Sequence, residues 1–313
     1  GLFAAIVVFV LAAPVWADRV AHTGPNETHT TEKIEVDGET REVVEADGTP
    51  IGPVWFGAEG RFLLGADGRL GRDEMVRLMY GGRTSLTIGI GSTLITTLLA
   101  LALALLAGYY RGWTDALISR ALDIVWAFPV MLLGIALGTA LAISGIQIGP
   151  INISSGSTLL PLLVIGFVLV PYVARPLRGE VLALREREFV EAAVAQGSGP
   201  LRVMWSELLP NLLPTAIVLA TLNVVNAMLL EAGLSFLGAG VQEPESSWGS
   251  MIADGVEVLA TAPLLTILPG ALIFLTVLSV NVFGDGLRDA INPRAKVRLE
   301  AHTGTYEPER EAA

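Results

Sequence analysis

Side chains able to do chemistry are few in this chain and unevenly placed. It has no cysteine, which excludes disulfides, thiolate metal sites, iron–sulfur clusters and cysteine nucleophiles. His22 and His29 flank Glu27 in a stretch that reads as flexible polar chain rather than a metal site, and His302 stands far away in the tail. No G-x-x-x-x-G-K-S/T phosphate cradle occurs, so that kind of nucleotide site is missing. What remains is polar rather than reactive. Asn223 and Asn226 stand one helical turn apart in an uncharged run, placed to line a pathway or to hydrogen-bond a neighbouring helix, with packing the preferred reading. Glu231 closes that run and suits a gate or a structural role better than a proton carrier. The richest segment is 175–211. Glu180 to Gln196 lacks Gly and Pro, is rich in Ala, Glu, Leu and Arg, and predicts a helix. Gly197-Ser198-Gly199-Pro200 stops it: Ser198 or Gly199 caps the next helix, and Pro200 fits its first turn, where no N–H is needed. Leu201, Val203, Met204, Trp205, Leu208 and Leu209 give that second helix an apolar side, and Pro210 and Pro214 set the entry into the next apolar run. A short rigid hook of this kind can pass a push from a soluble motor into the helices behind it. The same pattern suits an amphipathic element lying on lipid headgroups. On these residues alone both readings stay open.

The elements that must hold these residues are membrane spans. Of 313 residues, 52% are hydrophobic and 16% charged; soluble domains carry roughly 25% charged residues. Mean hydropathy is +0.59. With 31 acidic against 20 basic residues, the chain is also a poor match for nucleic acid. About 20 apolar residues cross a bilayer core of about 30 Å. Leu86–Ala107 and Leu212–Leu230 meet that requirement without a charge, as does 262–284. Residues 124–174 are uncharged throughout but too long for one crossing; Gly, Pro, Asn and Ser gather in 144–158, so the run divides into spans 124–143 and 159–174. Residues 1–17 make a sixth span, with no initiating Met and no basic residues before it. Its Val15-Trp16-Ala17 end also resembles a signal-peptidase site, and the retained span is the preferred reading.

Orientation follows from Lys and Arg. Loops 108–123 and 175–211 and the tail 285–313 hold twelve of them, while loops 144–158 and 231–261 hold none. The first set is therefore expected in the cytoplasm. Segment 18–85 falls outside, with thirteen acidic and eight basic residues. In it, Ile34 and Val36, Asp37-Gly38, then Val43 and Val44 predict a β-hairpin, and Asp47-Gly48 a second turn. Leu63 to Leu86 reads as an amphipathic lead-in with Met75, Leu78, Met79 and Leu86 on one face and Arg72, Asp73, Arg77 and Arg83 around it.

Glu191-Ala192-Ala193, then Gly197, then Leu209-Pro210 resembles the EAA loop of ABC-importer permeases. Gly71-Arg72-Asp73 with Tyr80-Gly81-Gly82-Arg83-Thr84-Ser85-Leu86 is similar to the entry of the second span in the dipeptide/oligopeptide/nickel class, and Glu231 to Gly238 with Ser247-Trp248-Gly249 to its last outer loop. Gly284 to Asp289 with Asn292-Pro293-Arg294 is similar to its tail. The blocks run in order over about 71–294, most like the dipeptide-permease C type. The resemblance implies an all-α membrane protein with the type I ABC-importer permease fold: six transmembrane helices, or five if the first is cleaved. It implies a coupling loop of Glu191, Ala192, Ala193, Gly197, Leu201, Leu209 and Pro210 seated in a cytoplasmic ATPase. Glu191 would cap or pair there, the two alanines would permit close approach, and Gly197 would make the turn. The implied partners are a second homologous permease, two ABC ATPase subunits carrying ATP and Mg, and an extracytoplasmic substrate-binding protein. The chain itself would be no enzyme and hold no cofactor or metal. Peptides are the preferred cargo, glutathione-like peptides and nickel complexes the alternatives. An ion-coupled secondary transporter is the runner-up, although the five spans from residue 86 onward contain no Asp, Glu, Lys, Arg or His.

Overall fold

The computed structural model describes residues 1–36, 38–55, 60–68 and 70–291. Two long helices organise it. Helix α3, Glu74–Tyr110, begins where the Asp73 side chain accepts from the Val76 amide at 3.0 Å. At 1.5 Å per residue its 37 residues span roughly 55 Å. Helix α10, Leu209–Phe236, packs along it. Around this pair stand α1 (Leu2–Leu11), α2 (Ala13–Trp16), α4 (Gly112–Ala127), α5 (Val130–Ser144), α6 (Leu159–Val168) and α7 (Val170–Arg185). The remaining helices are α8 (Glu188–Ala195), α9 (Pro200–Arg202), α11 (Trp248–Glu257) and α12 (Leu264–Ile291). Three helices are long and apolar enough to cross a membrane unbroken: Glu74–Tyr110, Pro200–Phe236 and Leu264–Ala290. Three more crossings arise if bent pairs count as one: Leu2–Leu11 with Ala13–Ala21, Gly112–Ala127 with Val130–Ser144, and Leu159–Val168 with Val170–Arg185.

The elements differ from the sequence reading where local chemistry intervenes. The expected amphipathic lead-in is not a separate surface helix. It starts only at Glu74 and runs unbroken into α3, and its Arg72, Asp73, Glu74 and Arg77 are buried. The expected span 124–143 is broken, with α4 and α5 meeting at 89°. Pro129 has no N–H and forces Phe128 out of the helical region, to φ −90° and ψ 138°. The helix expected over Glu180 to Gln196 is two: α7 ends at Arg185, and α8 starts after an extended Arg187.

At the end of the bundle where α3 begins, strands β1 (Lys33–Val36) and β2 (Glu39–Glu42) form the antiparallel hairpin, Lys33 opposite Glu42 and Val36 opposite Glu39. Its second arm precedes Val43 and Val44, because a turn this tight closes at Glu39; Asp37 of that turn lies outside the described residues. Val43 instead packs with Ile34, Val36, Val54, Phe62 and Ala66. Arg61 grips Glu32 at 2.7 and 2.9 Å and holds its carboxyl below the usual range. His29 is not loose chain: it bonds to Thr23 at 2.9 Å and lies edge-on to Phe62. Burial pushes the Asp73 carboxyl up, against the pull of the amides of Val76 and Phe62. A second short hairpin, β3 (Ile146–Ile148) with β4 (Ile151–Ile153), closes the turn after α5.

Candidate functional site

The opposite end of α3 carries the hook. Gly197 has φ +83°, the left-handed conformation that ends α8 and that residues with a Cβ rarely adopt. Gly199, extended, is the N-cap of α9, and Pro200 takes its first turn. A π-helical turn, Val203–Leu208, joins α9 to α10. Val190, Val203, Met204 and Leu208 are buried in one cluster with Val173, Leu177 and Val181 of α7, Ala100 and Ala104 of α3, and Leu212 and Ala216 of α10. The outer side is bare: Leu201 is 67% exposed and Trp205 70%. Glu191, Ala192, Gly197 and Pro210 are exposed too, with Ala193 and Leu209 half-buried. Glu191 lines a groove of about 500 Å³ between α8 and the α3–α4 corner, facing Tyr109, Arg111 and Arg185. The hook thus shows Leu201 and Trp205 beside exposed charges such as Glu191 and Arg202, and is bolted inside to α3, α7 and α10.

Ion pairs join the neighbouring α4 to α7. Arg178 holds Asp115 with two bonds of 2.5 Å, Arg111 reaches Glu186 at 2.6 Å, and Arg175 pairs with Asp123. Arg175 also lies over the Trp126 ring at 4.3 Å, and Trp126 stacks on Tyr172 at 4.5 Å. Asn226 is exposed beside that stack and lines a cavity of about 330 Å³ with Tyr172 and Met131.

The other two candidate residues are buried. Asn223 reaches Thr93 of α3 at 3.4 Å, so it faces a helix. Glu231 accepts from Ser235 at 2.7 Å and from Ser85 at 2.9 Å, while Ser85 Oγ accepts from the Trp248 amide at 3.1 Å. Trp248 is fully buried and its Nε1 donates to the Leu78 carbonyl at 2.9 Å. The carboxylate thereby ties α3, α10 and α11 together. Sequence reasoning missed Ser85 and Trp248 as companions of Glu231 and, separately, the α4–α7 ion pairs. The signal was faint: Asp115 and Arg178 are charges in a poorly charged region, but nothing in their spacing pairs them.

The description "Binding-protein-dependent transport system inner membrane component" belongs to a family model that matches residues 100–297. The chain belongs to this family. The permease is a multi-pass protein of the cell membrane. It is 40% identical over 247 residues to a protein named dipeptide transport system permease protein DppC from Alkalihalophilus pseudofirmus, covering 79% of this chain and 74% of that one. A di/tripeptide transport system permease protein from Pseudomonas aeruginosa is also 40% identical, over 78% and 76% of the two chains. A glutathione transport system permease protein from Pectobacterium atrosepticum is 36% identical, over 74% and 73%. The MetNI methionine ABC transporter in an inward-facing crystal form superposes with a TM-score of 0.53 at 20% identity, covering 69% of this chain and 97% of that one. The permease therefore has the type I ABC-importer fold.

Proposed function

We propose that this chain forms half of the translocation pathway of an ATP-driven importer of short peptides. In this reading α8, α9 and the turn between them seat in a cytoplasmic ATPase subunit. A second homologous permease completes the pathway, two ATPase subunits carry ATP and Mg, and a soluble binding protein outside delivers cargo. The chain itself catalyses no reaction. The hook carries the proposal: it presents bare Leu201 and Trp205 outward while Val190, Val203, Met204 and Leu208 anchor it, so a grip on its outside moves α3, α7 and α10. Glu191 caps or pairs at that contact, Ala192 and Ala193 allow close approach, and Gly197 makes the turn. The basic residues support a cytoplasmic hook and tail with 18–85 outside. The names of the relatives support peptides as cargo. The Asn226 cavity, flanked by Tyr172, serves as pathway lining; Glu231 is a structural tie beside it.

The test uses the assembled importer in proteoliposomes. Gly197→Pro cannot adopt φ +83°, and Glu191→Arg reverses the charge at the groove. Both variants are expected to insert normally and lose ATP-driven uptake at least tenfold, roughly what one charged hydrogen bond is worth. Unchanged uptake in both would remove the hook from the mechanism.

A further inference from the structure

Helix geometry sets residues 80, 83, 84 and 87 of α3 on one stripe. The opposite side of α3 is filled: a Cβ at Gly82 would lie 2.6 Å from the Trp248 ring. The stripe itself opens into a cavity of about 360 Å³, within the range of small-molecule sites. Its walls hold one cation, Arg83, and one anion, Glu245. Thr84, Thr87 and Thr158 add hydroxyls, and Leu159 and Leu162 an apolar floor.

Arg83 differs from other arginines at this end. Arg72 is buried on Asp67, Arg77 reaches Asp254, and Arg61 grips Glu32. Arg83 is exposed, and its contact is the Tyr80 ring, 5.6 Å from its guanidinium carbon. Among the described residues, neither Arg83 nor Glu245 forms an ion pair. The cavity lining therefore offers a guanidinium and a carboxylate without ion-pair partners among the described residues, together with hydroxyls and an apolar floor. A ligand that satisfies all of these is a short zwitterion with an apolar middle.

We propose that this cavity is a subsite for the free peptide at the outer mouth of the permease. Arg83 takes the terminal carboxylate, for which a planar guanidinium is suited, and Glu245 takes the terminal ammonium. The proposal rests on the peptide-importer reading and on residues 18–85 facing outward. A phosphate headgroup would also attract Arg83, but a purely anionic one would be repelled by Glu245 in the same lining.

The experiment compares the assembled importer with its R83Q, R83K and E245Q variants in proteoliposomes. The cargoes are dialanine, its C-terminal amide and its N-acetyl form, each delivered by binding protein whose own affinity for it is measured separately. R83Q is expected to slow dialanine uptake about tenfold or more, the weight of a charged hydrogen bond. It should change amide uptake less than twofold, and R83K should restore part of the loss. E245Q is expected to slow dialanine but not the N-acetyl form. Equal losses for all three cargoes, no loss for any, or a loss that vanishes in liposomes lacking ethanolamine headgroups would each overturn the subsite. Failure of the unaltered importer to carry any peptide would instead overturn the reading beneath it.

Discussion

Glu231 is a carboxyl held by hydroxyls rather than by a cation, since Ser85 and Ser235 donate to it inside the bundle. Buried donors that lose their acceptor retain the full desolvation cost, about 1–3 kcal/mol. Glu231→Ala is therefore expected to lower stability by about that amount, with Glu231→Gln, which keeps an acceptor, falling between. Thermal melting in detergent checks the order; equal stability of all three forms would show that the hydroxyls find other partners. Sequence alone marked Glu231 as a charge at the end of an uncharged run. It could not mark Ser85, which is 146 positions away and is one serine among many. Asn223 and Asn226 show the same limit. Their spacing is visible in the sequence, but which one meets Thr93 and which one faces a cavity depends on how α10 is rotated against α3.

Hydropathy located the apolar runs of the helices, but their joints depend on backbone chemistry and contact. Pro129 accounts for the break, yet nothing local fixes the bend at 89°, which goes with the packing of α4 on α3 and of α5 on α6. The lead-in to α3 was legible as helix, but the burial of its charges was not: Arg72 closes on Asp67 within the lead-in, and Arg77 meets Asp254, which lies far along the chain. The hook was the most legible element, because Gly197 and Pro200 act through their own backbones. Close helix approach yields a prediction here. A Cβ at Gly82 would also meet Val10 at 2.6 Å, so Gly82→Val would pry α3 from α1 and α11. Overpacking of this kind costs about 1–3 kcal/mol. Hydrogen exchange should quicken across α11 while the hook cluster at the far end stays protected; unchanged exchange in α11 would contradict the packing.

The whole molecule is a lipid-facing bundle with the β1–β2 hairpin at one end and the hook at the other. Large apolar side chains such as Leu94, Leu132, Phe274 and Phe283 are more than half exposed along the crossings, as befits helices solvated by lipid. The membrane class was legible because hydrocarbon thickness sets the length of an apolar run; among the described residues three helices meet that length unbroken, and six crossings result only if each bent pair counts as one. Burial of the charged cluster beside the hairpin was not legible, because burial depends on contacts between distant segments. The permease has the type I ABC-importer fold and belongs to the binding-protein-dependent transport family, and the account's central claim is that its helices move only when other subunits grip the hook. The direct measurement is uptake of labelled dialanine into liposomes, with and without the ATPase subunits, and with and without ATP. The account predicts uptake only when the companion permease, binding protein, ATPase subunits and ATP are all present. Uptake by the permeases without ATPase subunits, or driven by an ion gradient alone, would contradict it.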